Sequence, residues 1–214
     1  MSSIGDVIIK ISNISDFSDA LPFVAWVWFG NMRKPYRILG LFFLFCFVIR
    51  SYTFVTAEKH FNNMPAYHLL ALVEISAVYC FYCELVYGKV FTWGLILLII
   101  FHLANTIFYQ EIHSFNSVAW TADMILIITI GLSYFVELYK NENDFTPLQT
   151  RPDFVITVGW LLYASGSLFT YLMGSEVLSR YAKGLLKDEW FFQIISNISK
   201  DVIISYGFWL TRKK

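Results

Sequence analysis

Charge is what this sequence has least of. Asp, Glu, Lys and Arg make up 15% of its 214 residues, against roughly a quarter in ordinary soluble domains. A soluble chain of this length needs more polar surface than that to cover its core, so a soluble globular domain is excluded. Basic and acidic residues balance at 16 each, which leaves no basic footprint for nucleic acid. Cysteine is sparse as well. Cys46, Cys80 and Cys83 all lie in apolar segments, which argues against a disulfide framework or a zinc ribbon. Cys80 and Cys83 form a CxxC, but within an expected helix, where they read as small packing residues. The N-terminal stretch MSSIGDVIIKISNISDFSDA lacks a basic region followed by an uninterrupted apolar core, so it does not read as a cleaved signal peptide. The connections between apolar segments are short, which leaves no room for an extramembrane catalytic domain.

What is present is apolar surface. The chain is 57% hydrophobic and 19% aromatic, with a mean hydropathy of +0.56. Segments near 7–29, 36–56, 65–87, 90–109, 117–139, 153–174 and 189–210 approach the ~20 residues needed to cross hydrocarbon. The first is the weakest, because Lys10, Asp16 and Asp19 interrupt it. Its N-terminal half is expected at the interface or against neighbouring helices. Pro35, Pro65 and Pro152 stand at expected helix starts, where a missing N–H costs little. The expectation is an all-α, polytopic seven-transmembrane-helix bundle, one domain over 1–214, with the lipid bilayer as its first partner.

Orientation follows from the basic residues of the connections. One side carries Arg33, Lys34, Arg37, Lys89, Lys140, Arg151, Arg212, Lys213 and Lys214; the other carries Lys59, Arg180, Lys183 and Lys187. The bias places the N-terminus outside and the C-terminus in the cytoplasm. Trp26, Trp28, Tyr87, Trp93, Tyr139, Trp190 and Trp209 fall near expected interfaces, as belt aromatics do. Segments three and five end in FYCELVYGK and YFVELYKNE, an echo that convergence of helix ends explains better than a repeat.

Ionisable residues at membrane depth are costly and mark function by default. At a rise of 1.5 Å per residue, Asp123, Arg50 and His102 lie roughly 9–10 Å below the outer surface. Glu74 and Asn197 lie at roughly 13 Å, and Lys200 at roughly 18 Å. Asn105 is shallower. Several expected helices thus contribute to one polar layer in the outer half. Gln193, Asn197 and Asp201 form a stripe on the last segment, with Ser196 alongside. Lys200 and Asp201 stand about 100° apart around the helix, so different neighbours are expected for each. A purely structural reading pairs Arg50 with Glu74, and Asp123 with His102 or Lys200, locking the helices. A functional reading makes the same groups line a cavity, open to the outside, for a small polar or amphipathic ligand. Gly159, Ala164, Ser165, Gly166 and Ser167 form a small-residue face suited to close helix approach.

Other chemistries fit less well. A lysine midway along the seventh segment, an acid in the third, and Trp160 and Tyr163 as a possible aromatic slot suit a retinal-type photoreceptor attached at Lys200. The acid expected four residues before the lysine is replaced by Ser196. No HxxxH or HExxH occurs, so no metal is expected. No nucleophile elbow occurs either. No enzyme and no cofactor are expected. Mid-helix prolines in segments three and six, which would suggest broken transport helices, are missing.

HLLALVE (68–74), PDFVITVGWLLYASGSLF (152–169) and the run from Trp190 to Asn197-x-x-Lys200 carry a resemblance. The chain is similar, over about two thirds of its length, to short seven-helix bacterial membrane proteins that act as sensor or receptor-like modules. That resemblance implies a bacterial cytoplasmic (inner) membrane location and signal transduction. It also implies a separate signalling partner such as a histidine kinase. The leading expectation is a ligand sensor built on Arg50, Glu74, His102, Asn105, Asp123, Asn197, Lys200 and Asp201. The alternative is an oligomeric channel or pore-forming effector; in either case a homo-oligomer is conceivable.

Overall fold

The computed structural model describes residues 4–140, 147–173 and 185–212, with side chains from residue 11 and, in the last helix, from residue 191. Arg180, Lys183, Lys213, Lys214 and residues 141–146 of the longest connection lie outside them, as do the side chains of Lys10, Lys187 and Trp190. The described residues are helical, without strands. Among the described residues eight α-helices run in order: α1 (Ile4–Ser18), α2 (Ala20–Phe29), α3 (Lys34–Glu58), α4 (Met64–Tyr87), α5 (Thr92–Ala104), α6 (Ser117–Lys140), α7 (Pro152–Leu172) and α8 (Leu185–Thr211). Among the described residues five helical stretches are long and apolar enough to cross a membrane: α3, α4, α5 with the turn that follows it (Thr92–Tyr109), α6 and α7. That is the composition of a membrane protein. α8 has the length, but Gln193, Asn197, Lys200 and Asp201 break up its apolar surface.

The first expected segment is two helices rather than one. α1 and α2 meet at Asp19, whose backbone stays in the right-handed helical region while the helix hydrogen bonding lapses. α1 turns one face inward: Ser15, Ser18 and the adjoining Asp19 are buried, with α1 against α3 and α8, while Asn13, Ile14 and Phe17 are exposed. Pro35, Pro65 and Pro152 occupy the first turns of α3, α4 and α7, where no intrahelical donor is lost. α5 closes in a wide π turn, Asn105–Tyr109, in which Gln110 N donates to Asn105 O at 2.9 Å.

The tightest pairing is α7 against α8. Gly159 allows it: a Cβ there would sit 3.0 Å from Ile204 and 3.4 Å from the Lys200 carbonyl oxygen. Ala164 and Ser167 are fully buried on the same helix, whereas Ser165 faces outward. The expected small-residue face therefore holds, less Ser165. Trp160, Phe42, Phe43, Ile156, Ile204 and Phe208 form the centre of the apolar core.

Trp26 departs from expectation. It is 8% exposed, and its indole lies on Gly40 of α3 in the space a Cβ would take. A side chain as large as indole finds more apolar contact there than at the membrane surface. Trp28, Tyr87, Trp93 and Tyr139 are exposed, as belt residues should be. The echoed glutamates differ in their surroundings. Glu84 is buried against Lys34 of α3, while Glu137 is exposed and lies 3.5 Å from Lys140 of its own helix.

Gly40→Ala forces a methyl group into the Trp26 ring. Overpacking of this kind costs about 1–3 kcal/mol. Thermal unfolding in detergent should show a clear loss of stability, whereas Ser165→Ala, on the outward face of α7, should leave the transition nearly unchanged.

Candidate functional site

The site grows from Asp19. Where α1 gives way to α2, its carboxylate meets cations from two other helices. Arg50 Nε of α3 lies 2.5 Å from Oδ2, and Lys200 Nζ of α8 lies 3.5 Å from Oδ1. Arg50 Nη1 also donates to Asp16 Oδ1 at 3.1 Å. Lys200 is 3.3 Å from Asp201 Oδ1 and donates to Asn197 Oδ1 at 3.0 Å. Ser18 donates to Asp201. The Asn197 amide turns the other way, donating to Ser15 O at 3.2 Å and Ser15 Oγ at 3.1 Å. Three helical segments are thereby tied through one ionic cluster.

An aromatic floor completes the Lys200 surroundings. Its ammonium lies 4.6 Å from the Tyr163 ring centroid, 5.3 Å from Trp160 and 5.6 Å from Phe43. Such faces attract a desolvated cation by about 2 kcal/mol or more. The long lysine stem explains how the charge reaches so far. It fills a space otherwise apolar and delivers the ammonium to acids beyond it.

Two of the expected pairings are corrected here. Arg50 does not pair with Glu74; it pairs with Asp16 and Asp19, because α1 is inserted beside α3. Lys200 and Asp201 do contact each other, since the ammonium folds back toward its own helix while also reaching Asp19. The third pairing holds in one of its two forms, as His102 Nε2 meets Asp123 Oδ1 at 3.1 Å.

All eight residues singled out from the sequence are buried, but they fall into groups. Arg50, Asn197, Lys200 and Asp201 belong to the cluster. His102 and Asp123 form a separate pair linking α5 to α6. Asn105 sits in the π turn, where Nδ2 donates to Asn116 Oδ1 at 2.7 Å and to Gln110 Oε1 at 3.3 Å. Glu74 stands by itself. Its Oε1 has no hydrogen-bond partner, although it lies in the field of Lys200 and Arg50. Asp16, Asp19, Ser15 and Ser18 were not singled out as site residues. The signal that could have found them is the pair of acids interrupting the first apolar segment.

A cavity of about 240 Å³ opens beside the cluster. Asp16 and Arg50 lie along its polar side, with Ser12, Ser15, Asn63 and Gln193. Tyr67, Phe115, Trp120 and Tyr171 form its aromatic side. It lies at the end of the bundle that the loop charges assign to the outside. A chain of contacts leads inward from it: Gln193 Nε2 donates to Tyr171 Oη at 3.3 Å, and Tyr171 Oη lies 3.4 Å from Tyr163 Oη, above Lys200. His68 spans the same end, with Nδ1 3.0 Å from Thr106 Oγ1 and Nε2 3.1 Å from Ser114 O.

Polar contacts tie the helices together toward the opposite end. Tyr36 donates to Asp153, Tyr82 donates to Thr157 at 3.0 Å, and Asn31 N donates to Thr211 Oγ1 at 3.0 Å. A second depression of about 490 Å³ lies between α4 and α6 near that end, lined by Tyr79, Cys83, Tyr134 and Glu137. It contains none of the eight residues. Among the described residues no group of His, Cys, Asp or Glu has the makings of a metal site.

No family model, curated protein or solved structure matches the chain.

Removing Asp19 leaves two buried cations short of their shared acid. Breaking a buried pair in this way costs about 3–5 kcal/mol. Asp19→Asn should therefore unfold at markedly lower temperature or lower denaturant than Asp16→Asn, whose carboxylate is 27% exposed and partly solvated. Equal losses for the two variants would contradict the central role given to Asp19.

Proposed function

We propose that this chain is an integral membrane sensor with seven spans, α1 and α2 together making the first. Its N-terminus would be outside and its C-terminus in the cytoplasm, and a bacterial inner membrane would be its location. It binds a small ligand in the cavity beside Arg50 and transmits the bound state to a separate cytoplasmic partner, such as a histidine kinase. The observation that carries this reading is the Arg50–Asp16 contact. It forms part of the cavity wall and is also the edge of the buried cluster that holds α1, α3 and α8. An occupant that competes for Asp16 or Arg50 alters the charge balance at Asp19, and so the contact between α3 and α8.

The mechanism is a two-state shift of packed helices of about 1–2 Å. The tyrosine pair Tyr171–Tyr163 offers a second route from the cavity to Lys200. Polar groups enclosed within one bundle favour a receptor over an oligomeric channel, whose polar face would line an axis between subunits.

Two measurements test this. Arg50→Gln should mimic a disturbed cavity. With spin labels at Trp28→Cys and Tyr139→Cys, both exposed near the inner end, the distance distribution should gain a population displaced by roughly 2 Å. An unchanged distribution would mean that the cluster does not communicate with the inner end. Reconstituted protein should give no unitary currents in planar bilayers; discrete conductance steps would favour the channel instead.

A further inference from the structure

Among the described residues the charges of the cluster do not balance. Three carboxylates, Asp16, Asp19 and Asp201, make ion pairs there with two cations, Arg50 and Lys200. Asp19 and Asp201 are enclosed, each with Lys200 beside it. Asp16 shares Arg50 with Asp19 and is the carboxylate that reaches the cavity wall, still 27% exposed. The unsatisfied negative charge of the cluster is therefore presented at the cavity. An anion placed there would meet an arginine already engaged by two carboxylates and would add to the surplus.

The same cavity has an aromatic lining. Trp120 stacks on Tyr171 with centroids 5.1 Å apart, and Phe115 lies 6.2 Å from the same ring. Tyr67 lines the cavity beside them. A carboxylate and several aromatic rings around one small cavity are the groups that recognise organic ammonium ions, through charge and cation–π attraction together. At about 240 Å³ the cavity is smaller than the ~300–1,000 Å³ that holds drug-sized ligands, so the occupant is small.

We infer that the cavity binds a small organic cation, a primary or quaternary ammonium, with Asp16 as its counter-ion and Tyr67, Phe115, Trp120 and Tyr171 as its aromatic lining. This rests on the reading of the cavity as a ligand site. The ammonium is either a free solute or the headgroup of a lipid.

The test uses the full chain in nanodiscs of phosphatidylglycerol, which has no amine. Ser12→Cys, at the cavity wall, is labelled with a cationic and with an anionic methanethiosulfonate of similar size. The cationic reagent should react about tenfold faster, a preference that Asp16→Asn removes and Asp16→Glu retains. Choline or phenethylammonium should protect the thiol saturably in the parent but not in Asp16→Asn. Equal labelling by the two reagents, a preference for the anion, or protection by benzoate and not by the amines overturns the ammonium assignment while leaving an open cavity. A cation preference without saturable protection by either amine also overturns it. If neither reagent reaches the thiol, the cavity is closed to water, and the receptor reading fails with it. Repeating the labelling in phosphatidylethanolamine nanodiscs separates the sources: slower labelling there identifies a lipid headgroup, and an unchanged rate a free amine.

Discussion

Asp19 is a single buried carboxylate with an arginine from α3 on one side and a lysine from α8 on the other. Taking any one of these charges out of water alone would cost several kcal/mol. Each is tolerable only because the others are present, so the three elements that supply them must come together. The remaining members of the cluster follow from that demand. Asn197 accepts from Lys200 and donates to Ser15. Ser18 donates to Asp201. Phe43, Trp160 and Tyr163 offer ring faces to the ammonium. The lapse in helix hydrogen bonding at Asp19 fits the same constraint, because it falls at the residue the cluster requires.

The two ends of the bundle are unlike. One holds an open cavity whose wall includes the edge of the ionic cluster, with His68 and the Asn105–Asn116 contact beside it. The other is held by Tyr36–Asp153, Tyr82–Thr157 and Lys34–Glu84, with the larger depression between α4 and α6 nearby. The proposed sensor role draws on the first end, where cavity and ion cluster meet. Asp16 and Arg50 belong to both the cavity wall and the cluster, and the proposed signalling and the proposed ligand chemistry turn on that shared edge.

Much of the inventory was readable before the fold was known. Polar residues within apolar segments are too costly to face lipid, and Arg50, Glu74, His102, Asn105, Asp123, Asn197, Lys200 and Asp201 are indeed all buried. Helix starts at Pro35, Pro65 and Pro152 followed from the missing proline N–H. The close approach at Gly159 followed from the run of small residues. The partnerships were less readable. Arg50 seemed destined for Glu74 because the segments carrying them are adjacent in sequence and the depths agree. Asp16 and Asp19 looked like interruptions of a weak span, not ligands of its neighbours. Trp26 seemed a belt residue because depth alone was considered, and the glycine beneath its ring lies in another helix.

By itself the sequence determined that the chain is helical and apolar enough for a membrane, and which polar groups must turn inward. Those outcomes depend on local properties: segment length, side-chain polarity and the backbone chemistry of proline and glycine. Only the tertiary structure decided that α1 enters beside α3 and α8. It also decided that Asp19 is shared by two cations, that His102 and Asp123 form a pair of their own, and that Asp16 is left facing an aromatic cavity. Pairing at membrane depth is settled by the angle at which each helix meets the others. A shift of one residue turns a side chain by about 100°, so depth can be read along a chain while partners cannot.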